Sequence, residues 1–153
     1  RSTLFPYTTL FRSLRYCRFG DPETQVVLPL LKSDLLDIMI HVANGTLSDA
    51  KVEFSKDSAC CVVMASKGYP QGYEKGHPLS IPKDLPYVYV AGAKSEGGQL
   101  VSSGGRVVGI TERGETLKEA IDKAYASVAR IGFENGFYRK DIGKAALTAS
   151  EEV

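Results

Sequence analysis

The run Ala59-Cys60-Cys61-Val62-Val63-Met64-Ala65 limits what this chain can become more than any other segment. It is continuous, apolar and strand-sized, with no polar alternation, which predicts a strand buried inside a sheet. It is also the longest apolar run in the chain, and it falls far short of a bilayer span. A polar stretch, Ser48–Ser58, precedes it, and Gly68, Pro70, Gly72, Gly76 and Pro78 mark a long loop after it.

Strand signals continue downstream. Tyr87–Ala91 predicts a second strand, and Gly97-Gly98 closes a hairpin into Gln99–Ser102. Gly104-Gly105 makes another tight turn into Arg106–Thr111. Thr116 opens a long helix, with Glu119 completing a capping box. Leu117, Ile121, Ala124, Val128 and Ile131 form its buried face, and Gly132 is the expected stop. Upstream, Asp21 and Pro22 suit the cap and first turn of a helix from Glu23 that stops or kinks at Pro29. Ser33 is the expected cap of a second helix, with Asp34 and Asp37 near its positive end. Leu35, Ile38, Met39 and Val42 recur at helical spacing, and Gly45 ends the pattern. His41, beside that stripe, reads as a half-exposed helical histidine. A helix pair followed by a strand-rich unit under one covering helix is an α+β arrangement.

Composition narrows the function classes. At 153 residues and 43% hydrophobic content the chain can bury one core. A net charge of +1, with Lys and Arg spread along the chain, argues against a nucleic-acid partner. No membrane partner is expected either. Cys17, Cys60 and Cys61 have neither disulfide nor zinc spacing, so they read as reduced thiols of a cytoplasmic protein. Residues 1–13 stand apart: Thr3–Ser13 is, residue for residue, the translation of a common short-read sequencing adapter. The expectation is that this segment is foreign to the protein and that the upstream gene was cut away near Leu14.

Arg18-Phe19-Gly20-Asp21-Pro22-Glu23-Thr24-Gln25 is similar to the signature of the phosphoribosylamine–glycine ligases, which belong to the ATP-grasp superfamily. Val62-Val63-Met64-Ala65 with Gly68-Tyr69-Pro70, then Ser103-Gly104-Gly105-Arg106-Val107, then Arg139-Lys140-Asp141-Ile142-Gly143 resemble that family's C-terminal region in the same order. The resemblance runs from Arg18 to about Leu147. It implies the end of an ATP-grasp domain over 14–57, a strand-rich C-terminal domain over 58–149 and a tail over 150–153.

The implied activity joins glycine to 5-phosphoribosylamine at the expense of ATP, through an acyl phosphate, with magnesium or manganese across the phosphates. In that family a Glu and an Asn, four and two residues before the signature arginine, hold the metal. Leu14 and Tyr16 stand there in this chain and cannot ligate a hard cation. No residue here is therefore a candidate metal ligand, and the expected entity is an inactive fragment of the ligase, with no cofactor tightly bound.

Arg18 is the candidate catalytic residue, a guanidinium facing the transferring phosphoryl group; the alternative is an ion pair with Asp21 or Glu23. Gly20, Asp21 and Pro22 are candidate substrate-binding residues, with a helix cap as the alternative role for Asp21. Gly104, Gly105 and Arg106 either cradle a phosphate, with Arg106 as counter-charge, or form a plain hairpin turn with a solvated arginine. Arg139 and Lys140 carry the same ambiguity. Lys67 lacks the flanking residues of a biotinyl-carrier lysine, and Gly68–Gly76 lacks the Lys-Ser/Thr pair of a phosphate loop. A non-catalytic binding module that folds independently is the alternative function.

Overall fold

The computed structural model describes residues 19–151. A one-turn helix, α1 (Thr24–Val27), runs directly into a 3-10 turn over Leu28–Leu30. Pro29 sits in that tighter turn, so the helix changes type where the missing amide donor predicts. Asp21 does not cap α1. Glu23 occupies the N-cap position without a side-chain cap, because the Asp21 carboxylate is engaged by Gln25 and Arg106.

Helix α2 (Leu35–Asn44) begins at Asp34, whose carboxylate accepts from the Leu36 and Asp37 amides at 2.7 and 3.3 Å. Ser33, the expected cap, is drawn away. Its hydroxyl donates to the Lys51 carbonyl at 2.9 Å and accepts from the Glu53 amide at 2.7 Å, tying the start of α2 to the chain that follows it. Gly45 closes the helix with φ at 69°, the left-handed conformation that suits glycine. His41 is half-buried, with Nδ1 2.9 Å from Thr46 Oγ1 and Asp37 one turn away at 4.0 Å. The apolar stripe is covered only in part: Leu35 and Ile38 are half-buried, while Met39 and Val42 are 51 and 57% exposed.

The strands are β1 (Ser58–Ser66), β2 (Tyr87–Val90), β3 (Ala93–Glu96), β4 (Gln99–Ser102), β5 (Arg106–Gly114) and β6 (Gly136–Phe137). Four of them form an antiparallel sheet in the order β2-β5-β1-β6, so the apolar run does lie inside the sheet. β1 and β5 pair from Ser58↔Gly114 to Met64↔Val108, and then the register shifts so that Ala65 faces Arg106. That shift leaves Val107 as an extra residue on β5, a bulge at its first turn. The predicted hairpin is more divided than expected. Its first arm is β3, paired with β4 across Gly97-Gly98 as a separate two-stranded sheet, while β2 turns away to pair with β5. The split falls at Ala91-Gly92.

One face of the sheet presents Cys60, Val62, Met64, Val108 and Ile110 to α3 (Leu117–Val128). Ala120, Ala124 and Val128 on α3 are fully buried, and the two alanines let the helix lie close on the strands. Burying each of Val62, Val108 and Ile110 contributes about 1.5–3 kcal/mol. The expected cap holds at Thr116, which accepts from the Glu119 amide at 3.2 Å. Glu119 reaches back to the Glu115 amide at 2.8 Å, one residue beyond the usual partner in a capping box. Gly132 is not the stop: α3 ends at Val128, and Gly132 instead exchanges amide hydrogen bonds with Ser80 at 2.9 and 2.8 Å.

A further helix, α4 (Lys144–Glu151), which the sequence reading did not expect, spans the boundary drawn between C-terminal domain and tail. Ahead of it the Tyr125 hydroxyl donates to the Arg139 carbonyl (2.8 Å) and accepts from the Ile142 amide (3.0 Å), pinning that stretch to α3. No described helix is long and apolar enough to cross a membrane.

Candidate functional site

The opposite face of the sheet carries α1 and the candidate residues. Thr111 of β5 donates its hydroxyl proton to the Gln25 carbonyl at 2.8 Å, and Arg113 donates to the Pro29 carbonyl at 3.0 Å. These contacts seat the signature turn over β5. Asp21 then meets Arg106: Nη2 lies 2.9 Å from Oδ2, and Nη1 donates to the Asp21 carbonyl at 3.2 Å. Gln25 Nε2 donates to the other carboxylate oxygen at 3.1 Å. Arg106 is thus a half-exposed arginine with a partner, and the two candidate segments share one place. Gln25 Oε1, beside them, is buried without a hydrogen-bond partner.

The Gly104-Gly105 turn is not a hairpin, since β4 and β5 do not pair; it carries the chain from the small sheet to the large one. The Ser103 and Gly104 amides both donate to the Gly92 carbonyl, at 2.7 and 3.0 Å. On the other side the Ser66 hydroxyl donates to the Gly104 carbonyl at 3.0 Å and the Ser66 amide to the Gly105 carbonyl at 2.8 Å. A phosphate nest needs free amides, and the Gly104 amide, with that of Ser103 before it, is committed to Gly92. Charge offered to an anion here comes from the Arg106 guanidinium, whose remaining N–H groups stay open.

Gly20 and Pro22 shape the turn that delivers Asp21, with the Thr24 amide donating to the Gly20 carbonyl at 3.1 Å. Arg18 lies outside the described residues. Arg139 is turned to a local partner, forking onto the Asp141 carboxylate at 2.9 and 2.6 Å. Lys67 stands at the rim of a cleft of about 540 Å³ with Gly72, Tyr73, Glu74 and Asn135. Sequence reading missed Ser66, Gly92, Gln25 and Thr111 as the framework of this place. The signature from Phe19 to Gln25 and the Gly68-Tyr69-Pro70 and Ser103–Val107 motifs all lie here, but none of them shows that the segments meet.

The two described thiols, Cys60 and Cys61, are buried and held in the protonated form. Burial, with Cys61 adjacent, pushes the Cys60 thiol up to about 11. Cys61 is also raised, first by burial and further by the nearby Asp21 charge, against a lowering hydrogen bond from Thr111. Among the described residues no three His, Cys, Asp or Glu side chains gather closely enough to hold a metal ion. Leu14 and Tyr16, the positions expected to lack metal ligands, lie outside the described residues.

Comparison with known proteins gives this arrangement a family. The sequence model described as "Phosphoribosylglycinamide synthetase, C domain" matches residues 59–145. The phosphoribosylamine–glycine ligase of Rhizobium meliloti is 48% identical over 133 residues, 85% of this chain and 31% of that protein. The ligase of Clostridium acetobutylicum is 50% identical over 129 residues, 84% of this chain and 31% of its own. A crystal structure of the Thermotoga maritima ligase superposes with a TM-score of 0.67 at 35% identity, over 82% of this chain and 31% of that one. The chain therefore spans about a third of the length of the relatives it matches, and the α+β fold expected from its sequence is the fold of that third. With a family match across more than half its residues and identities near one in two, this chain belongs to the phosphoribosylglycinamide synthetase C-domain family.

Proposed function

We propose that this chain is the C-terminal part of an ATP-dependent ligase that joins glycine to 5-phosphoribosylamine through an acyl phosphate in purine biosynthesis, in the cytoplasm. Alone it is inactive. The observation that carries the reading is the junction of Asp21 with Arg106, which unites a segment resembling the ligase signature with a distant one resembling the family's C-terminal region. Gly20, Asp21 and Pro22 form one lip of the substrate wall, and Gly104, Gly105 and Arg106 the other. Arg106 presents a fixed positive charge to the phosphate of the sugar substrate. Arg18, just ahead of the first lip, faces the transferring phosphoryl group. ATP and its magnesium or manganese belong to the part of the ligase that this chain does not match, since the donors present here do not fit them. Neither nucleic acid nor membrane is a partner in this reading.

The exposed apolar side chains of α2, Leu36, Met39, Ile40 and Val42, support the fragment reading, because a patch of that size is normally buried against a neighbour. A second reading, a non-catalytic module that folds independently, draws on the core. Among the described residues, every buried core residue lies between Cys60 and Phe133, and none lies in α1 or α2. Turnover decides between them. The chain alone should give none with ATP, glycine and phosphoribosylamine, and joining it to the upstream two-thirds of a relative should restore it. Failure of the joined, folded protein to turn over would favour the module.

A further inference from the structure

We propose that Tyr69 is a positioning residue for Arg106: its ring occupies the space at the Gly105 Cα and sets the turn that aims the guanidinium. The proposal rests on the reading of Arg106 as part of the substrate wall. The Tyr69 ring lies so close that a methyl group added at Gly105 would fall inside contact with its Cδ2 and Cε2. Glycine at 105 is thus required by the ring, not by an unusual backbone angle. The Tyr69 amide donates to the Ser66 carbonyl at 3.0 Å, and Ser66 in turn grips the Gly104 and Gly105 carbonyls. The same four residues, 66–69, therefore hold the turn through backbone and ring together.

The ring itself is held. Tyr73 meets it edge-on, with centroids 6.0 Å apart. Gly68, at φ +95°, leaves no room for a Cβ against the Gly72 carbonyl, so the loop closes tightly on itself as it presents Tyr69. On the far side, a Cβ at Gly104 would come within 2.9 Å of the Gly92 Cα. The turn is clamped between Tyr69 and Gly92, and Arg106 is the next residue out of the clamp. An anion at the guanidinium needs its N–H groups held in a fixed direction, which a loose turn cannot supply.

The test uses the full chain, with nitrogen-15 labelling to follow the Arg106 Nε–Hε resonance and ribose 5-phosphate as the probe. Tyr69→Phe keeps the ring, so the resonance and the affinity should stay within about twofold of the parent. Tyr69→Leu should displace or broaden the resonance and weaken the probe about fivefold, while the Val62 and Ile110 methyl signals stay in place. Gly105→Ala should disturb Arg106 likewise, since its methyl would displace the ring. An Arg106 resonance unmoved in both Tyr69→Leu and Gly105→Ala overturns the proposal, as does Tyr69→Phe behaving like Tyr69→Leu. If the resonance moves as expected but ribose 5-phosphate never binds the parent, positioning stands and the phosphate reading of Arg106 falls.

Discussion

Arg106 and Asp21, 85 residues apart in sequence, are joined by two contacts, one to the Asp21 carboxylate at 2.9 Å and one to its carbonyl at 3.2 Å. Both side chains are about half exposed, so solvent screens the pair and its worth lies in direction more than in stability. Asp21→Asn should cost no more than about 1 kcal/mol in urea unfolding, with the difference shrinking as salt rises. A loss of several kcal/mol would mean that the pair is structural.

The core and the exposed part of α2 should respond differently to truncation. Ile110 is fully buried, and Ile110→Ala should cost about 2–5 kcal/mol. Met39→Ala, on that exposed part, should change the stability of this chain by less than about 0.5 kcal/mol. Comparable losses at both positions would show that α2 is covered in solution.

Alkali should destabilise the fold through Cys60. Its thiol titrates near 11 when folded, against 9.0 ordinarily, so below pH 9 both states hold the proton and the contribution is fully present. Between those values the unfolded chain loses the proton first, and stability falls as pH rises. Cys60→Ala should flatten the decline between pH 9 and 11 in equilibrium unfolding. An unchanged slope would assign the decline to other groups.

Tyr125→Phe removes the hydroxyl that bridges Arg139 and Ile142. The half-buried Ile142 amide then loses its partner, and a loss of about 1 kcal/mol is expected. Faster amide exchange at Ile142, ahead of the α3 amides, would localise the effect; uniform exchange would contradict it.

In a ligase completed by upstream sequence, Arg18→Ala should lower turnover about a hundredfold, the scale of losing one oxyanion donor. The Michaelis constant for glycine should change much less. Normal turnover per folded molecule would remove Arg18 from the chemistry.

The elements that could be read in advance are those whose signals are local. The buried strand, Gly45, Thr116 and the buried face of α3 each depend on spacing or backbone preference within a few residues. Ser33 and Gly132 misled for the opposite reason: their hydrogen bonds go to Lys51, Glu53 and Ser80, partners that only tertiary structure supplies. The candidate site was legible as motifs but not as a junction. Nothing in the sequence near Gly104 says that its carbonyl belongs to Ser66 and its amide to Gly92.

The extra residue at Val107 decides which side of the protein Arg106 serves. Along β5 the even-numbered positions, Val108, Ile110 and Glu112, point toward α3, while Thr111 and Arg113 point toward α1. Unbroken alternation would send Arg106, an even position, under α3 into the apolar core. The bulge reverses the parity: Val107 takes the core place and Arg106 emerges beside Asp21. A single uncompensated insertion or deletion in this short stretch would exchange the two, burying a guanidinium and exposing a valine, with every other residue of the strand unchanged.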